Sequence, residues 1–166
     1  MGEAKLGPGQ LQAMLSYTFA QPIALEPEKV YATDAAGSAL TYTSTSLDPS
    51  KNVLKYRYRH VGKADVAYTW RRVTAAFSVR ANSFMENIDG IFTSPLVSIY
   101  VPGVADSRTF TQGGDFIADA RMQFKVSDRW TIIAAATNLN NRVVSPRPAL
   151  LVEPRMLSLQ ANFLLH

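Results

Sequence analysis

The sequence predicts an all-β fold, an antiparallel set of about six strands of the kind that crosses a membrane as part of a β-barrel. Three observations carry that prediction. Apolar and polar residues alternate with a period of two in six separate runs, the spacing that sorts side chains onto the two faces of a strand. Each run is about ten residues long, roughly twice the mode for soluble sheets and close to the ~9 to 11 residues a tilted strand needs to cross a bilayer. The connections alternate between very short and very long, and the long ones hold most of the Pro and Gly.

In chain order, the first run places Leu11, Ala13, Leu15, Tyr17 and Phe19 on one face and Gln12, Met14, Ser16 and Thr18 on the other. The second sets Ala64, Val66, Tyr68 and Trp70 against Lys63, Asp65, Ala67, Thr69 and Arg71. A link at Arg71-Arg72 leads into the third, in which Val73, Ala75, Phe77, Val79 and Ala81 oppose Thr74, Ala76, Ser78, Arg80 and Asn82. The fourth opposes Phe116, Ala118, Ala120, Met122, Phe124 and Val126 to Ile117, Asp119, Arg121, Gln123 and Lys125. Residues 127 to 129 form a second tight turn. The fifth run, Trp130 to Asn138, carries small and apolar residues on both faces, and the sixth sets Leu157, Leu159, Ala161, Phe163 and Leu165 against Ser158, Gln160 and Asn162.

Charge and aromatic placement follow the same parity. Lys63, Asp65, Arg80, Asp119, Arg121 and Lys125 all fall on the polar side and are expected to face a lumen, while no run carries a charge in the middle of its apolar side. With the short turns at one membrane surface, Trp70, Phe124, Trp130 and Phe163 lie at that interface, and Tyr17, Phe19 and Phe116 lie at the opposite one. Amphipathic rings favour these two levels. The links at 20 to 62, 83 to 115 and 139 to 155 are longer than soluble domains usually tolerate, and are expected on the outer side, as in membrane barrels. Within them, 29 to 46 alternates around Ala36-Gly37 and reads as a hairpin, and "SPLVSIYVPG", 94 to 103, is apolar for a loop. Six crossings would bring both chain ends to the short-turn side.

Composition narrows the class. Charged residues make up 18%, below the roughly 25% of soluble globular domains, so the chain is short of solvating charge. The net charge of +4 would suit an anionic partner, but the basic residues are scattered, which argues against nucleic acid. With no cysteine there is no disulfide framework. No run of 18 apolar residues occurs, so no transmembrane helix is expected. The opening "MGEAKLGPGQ" lacks the apolar core of a signal peptide, which fits a signal already removed or part of a longer product. No Gly-rich phosphate loop, paired-His spacing or G-x-S-x-G elbow occurs. The sequence therefore predicts no enzyme, no metal and no cofactor; the lone His60 reads as a loop-edge residue.

"LKYRYRHVGKADVAYTW" (54 to 70), "IDG" (88 to 90), "ATNLNN" (136 to 141) and "EPRMLSLQANF" (153 to 163) together resemble the C-terminal barrel strands of TonB-dependent outer-membrane receptors. The resemblance runs from about residue 10 to the end. It implies that residues 1-166 are the C-terminal part of a larger receptor barrel, 22-stranded in that family, with no plug domain in this chain. It also implies a bacterial cell outer membrane location and import of a scarce nutrient such as a siderophore, cobalamin or a glycan. The implied partners are outer-membrane lipid, and the remaining barrel strands and plug, from further sequence or a second chain. TonB would couple only through that plug. The chain departs from the family in ending at His166 rather than on an aromatic residue.

Two readings stand on the sequence. The first is a barrel portion of a membrane transporter and receptor. The second is a soluble lipid- or carbohydrate-binding β-barrel or sandwich, with the apolar parity turned inward.

Overall fold

The computed structural model describes residues 2–110, 112–144 and 150–165. Its backbone is one antiparallel sheet of seven strands with their long connections gathered at one end. The strands are β1 (Gly2–Leu6), β2 (Gly9–Phe19), β5 (His60–Trp70), β6 (Val73–Asn82), β7 (Asp115–Lys125), β8 (Trp130–Thr137) and β9 (Met156–Phe163), hydrogen-bonded in that order. A separate two-stranded ribbon, β3 (Ala32–Thr33) with β4 (Ala39–Leu40), turns through Gly37 at φ +83°. This ribbon is the hairpin expected around Ala36-Gly37. The second long connection holds a 3-10 turn (Gly90–Thr93) and two short helices, α1 (Pro95–Ser98) and α2 (Val104–Phe110). Among the described residues no helix is long and apolar enough to cross a membrane.

Six of the sheet strands are the six alternating runs, with ends moved by a few residues. The count of six is corrected to seven, because β1 lies in the opening segment, where no strand was expected. Five residues are too short for alternation to stand out. What forms the strand is the turn beside it: Gly7 takes φ +57° ahead of Pro8, and Glu3 then accepts hydrogen bonds from Gln10 and Gln12 across the hairpin. The chain start is corrected with it. Gly2 pairs with Ala13, partway up β2, rather than standing at the short-turn end. Within residues 11 to 19, Leu11 to Ala13 pair with β1 on one side, and the full stretch pairs with β5 on the other.

Gly9 shows why the edge needs a glycine. The ring of Tyr68 folds over it so that its hydroxyl donates to the Leu6 carbonyl at 3.1 Å, and a Cβ on residue 9 would sit 2.5 Å from that ring.

Register decides which side chains share a face, because a slip of one residue would exchange them all. Leu11, Tyr68, Ala75, Met122, Ala134 and Leu159 form one continuous row across the sheet, and Ala13, Val66, Phe77, Ala120, Ala136 and Leu157 form the next. The intervening rows carry Ser16, Lys63 and Arg80, then Asp65, Ser78 and Asp119. Every strand therefore contributes its apolar parity to the same face. Most of the buried apolar core lies off the sheet, in the connections, and the rest at the loop end of β7. Val53, Met85, Ile88 and Val144 lie in the connections, and Ile117 and Ala118 lie where β7 meets them.

Candidate functional site

The apolar face is open. Leu15 is 81% exposed, Leu157 and Leu159 are each 76%, and Met122, Phe116 and Phe77 are close to half exposed on the same side. Its aromatics fall at two levels set by the register. At the turn end Trp70, Val73 and Phe124 are in line, and Trp130 packs on Phe163 with ring centroids 4.8 Å apart. At the loop end Tyr17 and Phe116 share a row with Gly62 and Ala81, and Phe19 lies beside them. From Phe116 to Phe124 is about 27 Å along the strand at ~3.4 Å per residue. His60 belongs to this outer cluster rather than to a loop. Its Nδ1 lies 2.7 Å from the Tyr17 hydroxyl, and its ring is 5.2 Å from that of Phe19.

The opposite face is a polar ladder. Lys63 and Arg80 are cross-strand neighbours, an arrangement that repels unless each cation finds an anion. Each does: Lys63 pairs with Asp65 at 3.1 Å, and Arg80 pairs with Asp119 at 3.0 Å. Asp65 also accepts from the Ser78 hydroxyl at 2.5 Å, and Asp119 accepts from the Asn138 backbone N–H at 2.8 Å. Four of the six sequence-predicted charges are thus brought together. Arg121 and Lys125 stand exposed on this face and form no ion pair among the described residues. Arg71 departs from the expected parity: it occupies the hairpin turn at φ +52° and lies over the Trp70 ring at 5.1 Å.

Above the ladder the long connections fold into a cap held by polar groups. Asn87 is fully buried, and its side-chain amide donates to the Val53 carbonyl at 3.1 Å and to Ser46 Oγ at 3.3 Å. Beside it, Asp89 accepts from Lys55 Nζ at 2.6 Å and from the Tyr56 hydroxyl at 2.5 Å. Burial, then the bond to the Asp89 carboxylate, pushes the Tyr56 phenol up to about 12. The Tyr42 phenol is likewise raised, chiefly by burial; its hydroxyl donates to the Val53 carbonyl and accepts from the Lys55 backbone N–H. Asn87 was not visible in sequence, because its partners Ser46 and Val53 lie far from it along the chain.

A cleft of about 610 Å³ opens between this cap and the loop ends of β6 and β7, lined by Tyr58, Phe84, Tyr100, Val104, Arg108 and Val144 among others. Arg108 is anchored by two hydrogen bonds of 2.9 Å to the carbonyls of Met85 and Glu86 and lies over the Phe84 ring at 4.7 Å. Burial lowers its pKa. Burial, and then the Asp115 charge, raises that of Tyr58, while Asp115 itself pairs with Arg142 at 2.8 Å. The cleft can hold an apolar or aromatic group against two phenol rings and a guanidinium. In "SPLVSIYVPG", Val101 and Pro102 line this cleft, whereas Leu96 and Ile99 stay exposed. Among the described residues no group of three His, Asp or Glu side chains could hold a metal ion.

No family model, no curated protein and no solved structure matches this chain.

Proposed function

We propose that this chain is barrel wall of an outer-membrane TonB-dependent transporter that imports a scarce nutrient, its apolar face against lipid and its polar face against a plug. The observation that carries this reading is the single open apolar face, bordered above and below by aromatic side chains, with every mid-strand charge on the other side. In water so large an apolar surface would be an association site, whereas in a bilayer it is the solvated side. The cap and cleft would then face the cell exterior, where a nutrient first meets the protein. TonB coupling would run through a plug outside residues 1-166, and the wall itself would carry out no chemistry. A soluble lipid- or carbohydrate-binding barrel needs an apolar layer over this same face, and among the described residues no element packs on it.

Ser44, Ser98, Asn141 and Ser127 are all exposed, so single cysteines there differ only in which side of a membrane they occupy. We expect those at 44, 98 and 141 to react with an impermeant maleimide on intact cells and the one at 127 to react only after lysis. Reversed labelling would overturn the orientation, and extraction of the whole chain without detergent would overturn the membrane reading.

A further inference from the structure

Charge is unevenly spread along the strand direction. The loop segments 20 to 59, 83 to 115 and 139 to 155 contain as many acidic as basic residues. Five of the ion pairs lie there, joining Lys29 to Glu26, Lys51 to Asp48, Lys55 to Asp89, Arg59 to Glu86 and Arg142 to Asp115. The short-turn end differs. Lys5, Arg71, Arg72, Lys125 and Arg129 face only Glu3 and Asp128, a net +3 of the chain's +4. All five cations are exposed, and none is in an ion pair among the described residues.

Three of these cations sit in neighbouring hairpin turns directly beyond the aromatic row. Arg71 lies over the face of Trp70 at 5.1 Å. Arg72 donates from Nη1 to the Val126 carbonyl at 3.0 Å, which ties the first turn to the strand entering the second. Arg129 ends that second turn, next to Trp130, and its carbonyl accepts from Leu164 at 3.0 Å. Along the strand direction the order is therefore apolar residues mid-strand, Trp70 and Trp130 at the strand ends, and Arg71, Arg72 and Arg129 in the turns beyond them. That sequence of chemistries matches hydrocarbon, interface and phosphate in a lipid leaflet. A guanidinium takes a phosphate through two parallel N–H bonds, and an aromatic face beneath it limits the orientations it must give up.

We propose that this rim binds the phosphate of anionic phospholipids in the leaflet facing the short turns, with Arg71, Arg72 and Arg129 as the contacting cations. The proposal rests on the membrane reading above and adds a lipid preference to it. Such a rim would fix the depth of the wall by charge as well as by hydrophobic matching.

Trp70 and Trp130 are the chain's two tryptophans, and both lie at the rim, so fluorescence reads the site directly. The full chain, in the assembly in which it is extracted, is reconstituted in phosphatidylcholine vesicles holding a fixed minor fraction of phosphatidylglycerol. Bromine is carried on the acyl chains of one lipid or of the other. We expect quenching to report phosphatidylglycerol around the indoles enriched about fivefold or more over its bulk fraction, the order that one basic side chain near a surface supplies. The enrichment should fall towards the bulk value in high salt and in Arg71→Gln/Arg72→Gln/Arg129→Gln, and survive in the loop-end control Lys29→Gln/Lys51→Gln. If the triple variant fails to insert, Arg129→Gln alone and the salt series decide. Quenching in proportion to bulk composition would overturn the lipid preference while leaving the membrane reading intact. No quenching by either brominated lipid would overturn both.

Discussion

Asn138 sits at the centre of the bend after β8. It is buried, with φ +50°, and its side chain accepts from the Arg142 backbone N–H at 2.9 Å and donates to the carbonyls of Arg142 at 2.8 Å and Glu153 at 3.0 Å. Asparagine tolerates left-handed backbone better than most residues, so one side chain serves both conformation and bonding. Asn138→Ala strips three backbone groups of a partner, and should cost about 2 to 4 kcal/mol, read as a lower denaturant midpoint and faster proteolysis within 139–155. Tyr56 gives the cap a dependence on alkali. Its folded pKa of about 12 lies above the ordinary phenol value of 10.0, so below pH 10 both folded and unfolded phenols are neutral and the contribution is complete. Between 10 and 12 the unfolded phenol ionises first, and stability falls as pH rises through that window. We expect cap opening there, followed by tyrosinate absorbance. Tyr56→Phe should flatten the response, and an unchanged profile in that variant would count against the assignment.

At the scale of the element, strand and face were legible and packing was not. A period of two needs only local residues, and so the six long runs, the tight turns and the common apolar face could be read directly. β1 escaped because its five residues supply too few repeats for a period of two to stand out. The polar ladder was half visible: parity gave Lys63, Asp65, Arg80 and Asp119, but the Arg80–Asp119 pair depends on register between strands that are separated by the whole second connection. The Asn87 lock escaped because its partners lie far from it along the chain, and of the cleft only the apolar 94 to 103 segment stood out. Register also makes the face testable. Ala120 and Val79 lie mid-strand on the apolar side, and Gln123 lies on the other. Arginine at either of the first two should lower assembly in the membrane by about 2 to 4 kcal/mol, and Gln123→Arg should be tolerated. Equal folded yields for all three would count against lipid on that face.

For the whole molecule the edges set what can join the sheet. Among the described residues β1 and β9 have one neighbour each and are not bonded to one another, and none pairs with β2 above Ala13 on its β1 side. In hydrocarbon each unpaired backbone group costs several kcal/mol, so on the membrane reading proposed above a row of them would require further strands. Along β9 successive amides point alternately towards β8 and away from it. Hydrogen exchange on the chain without its completing strands should therefore alternate between slow and fast from Met156 to Phe163, while β6, paired on both sides, stays uniformly slow. Uniform protection in β9 would mean that its outer edge is already occupied.

The upper end of β7 shows another way to finish a ladder. Its pairing with β8 stops at Ala120 and Ala136, yet the rungs above are not left empty. The Leu139 N–H donates to the Ala118 carbonyl at 2.7 Å, and the Asn140 side chain accepts from the Ala118 N–H at 3.1 Å and donates to the Phe116 carbonyl at 2.8 Å. A carboxamide has the donor and acceptor of a peptide unit but no chain leading onward. It satisfies the exposed rungs as a counterfeit of the next strand, and denies them to any other polypeptide that might add itself there. The sheet is thus sealed against strand addition at the loop end of β7, where its ladder with β8 stops.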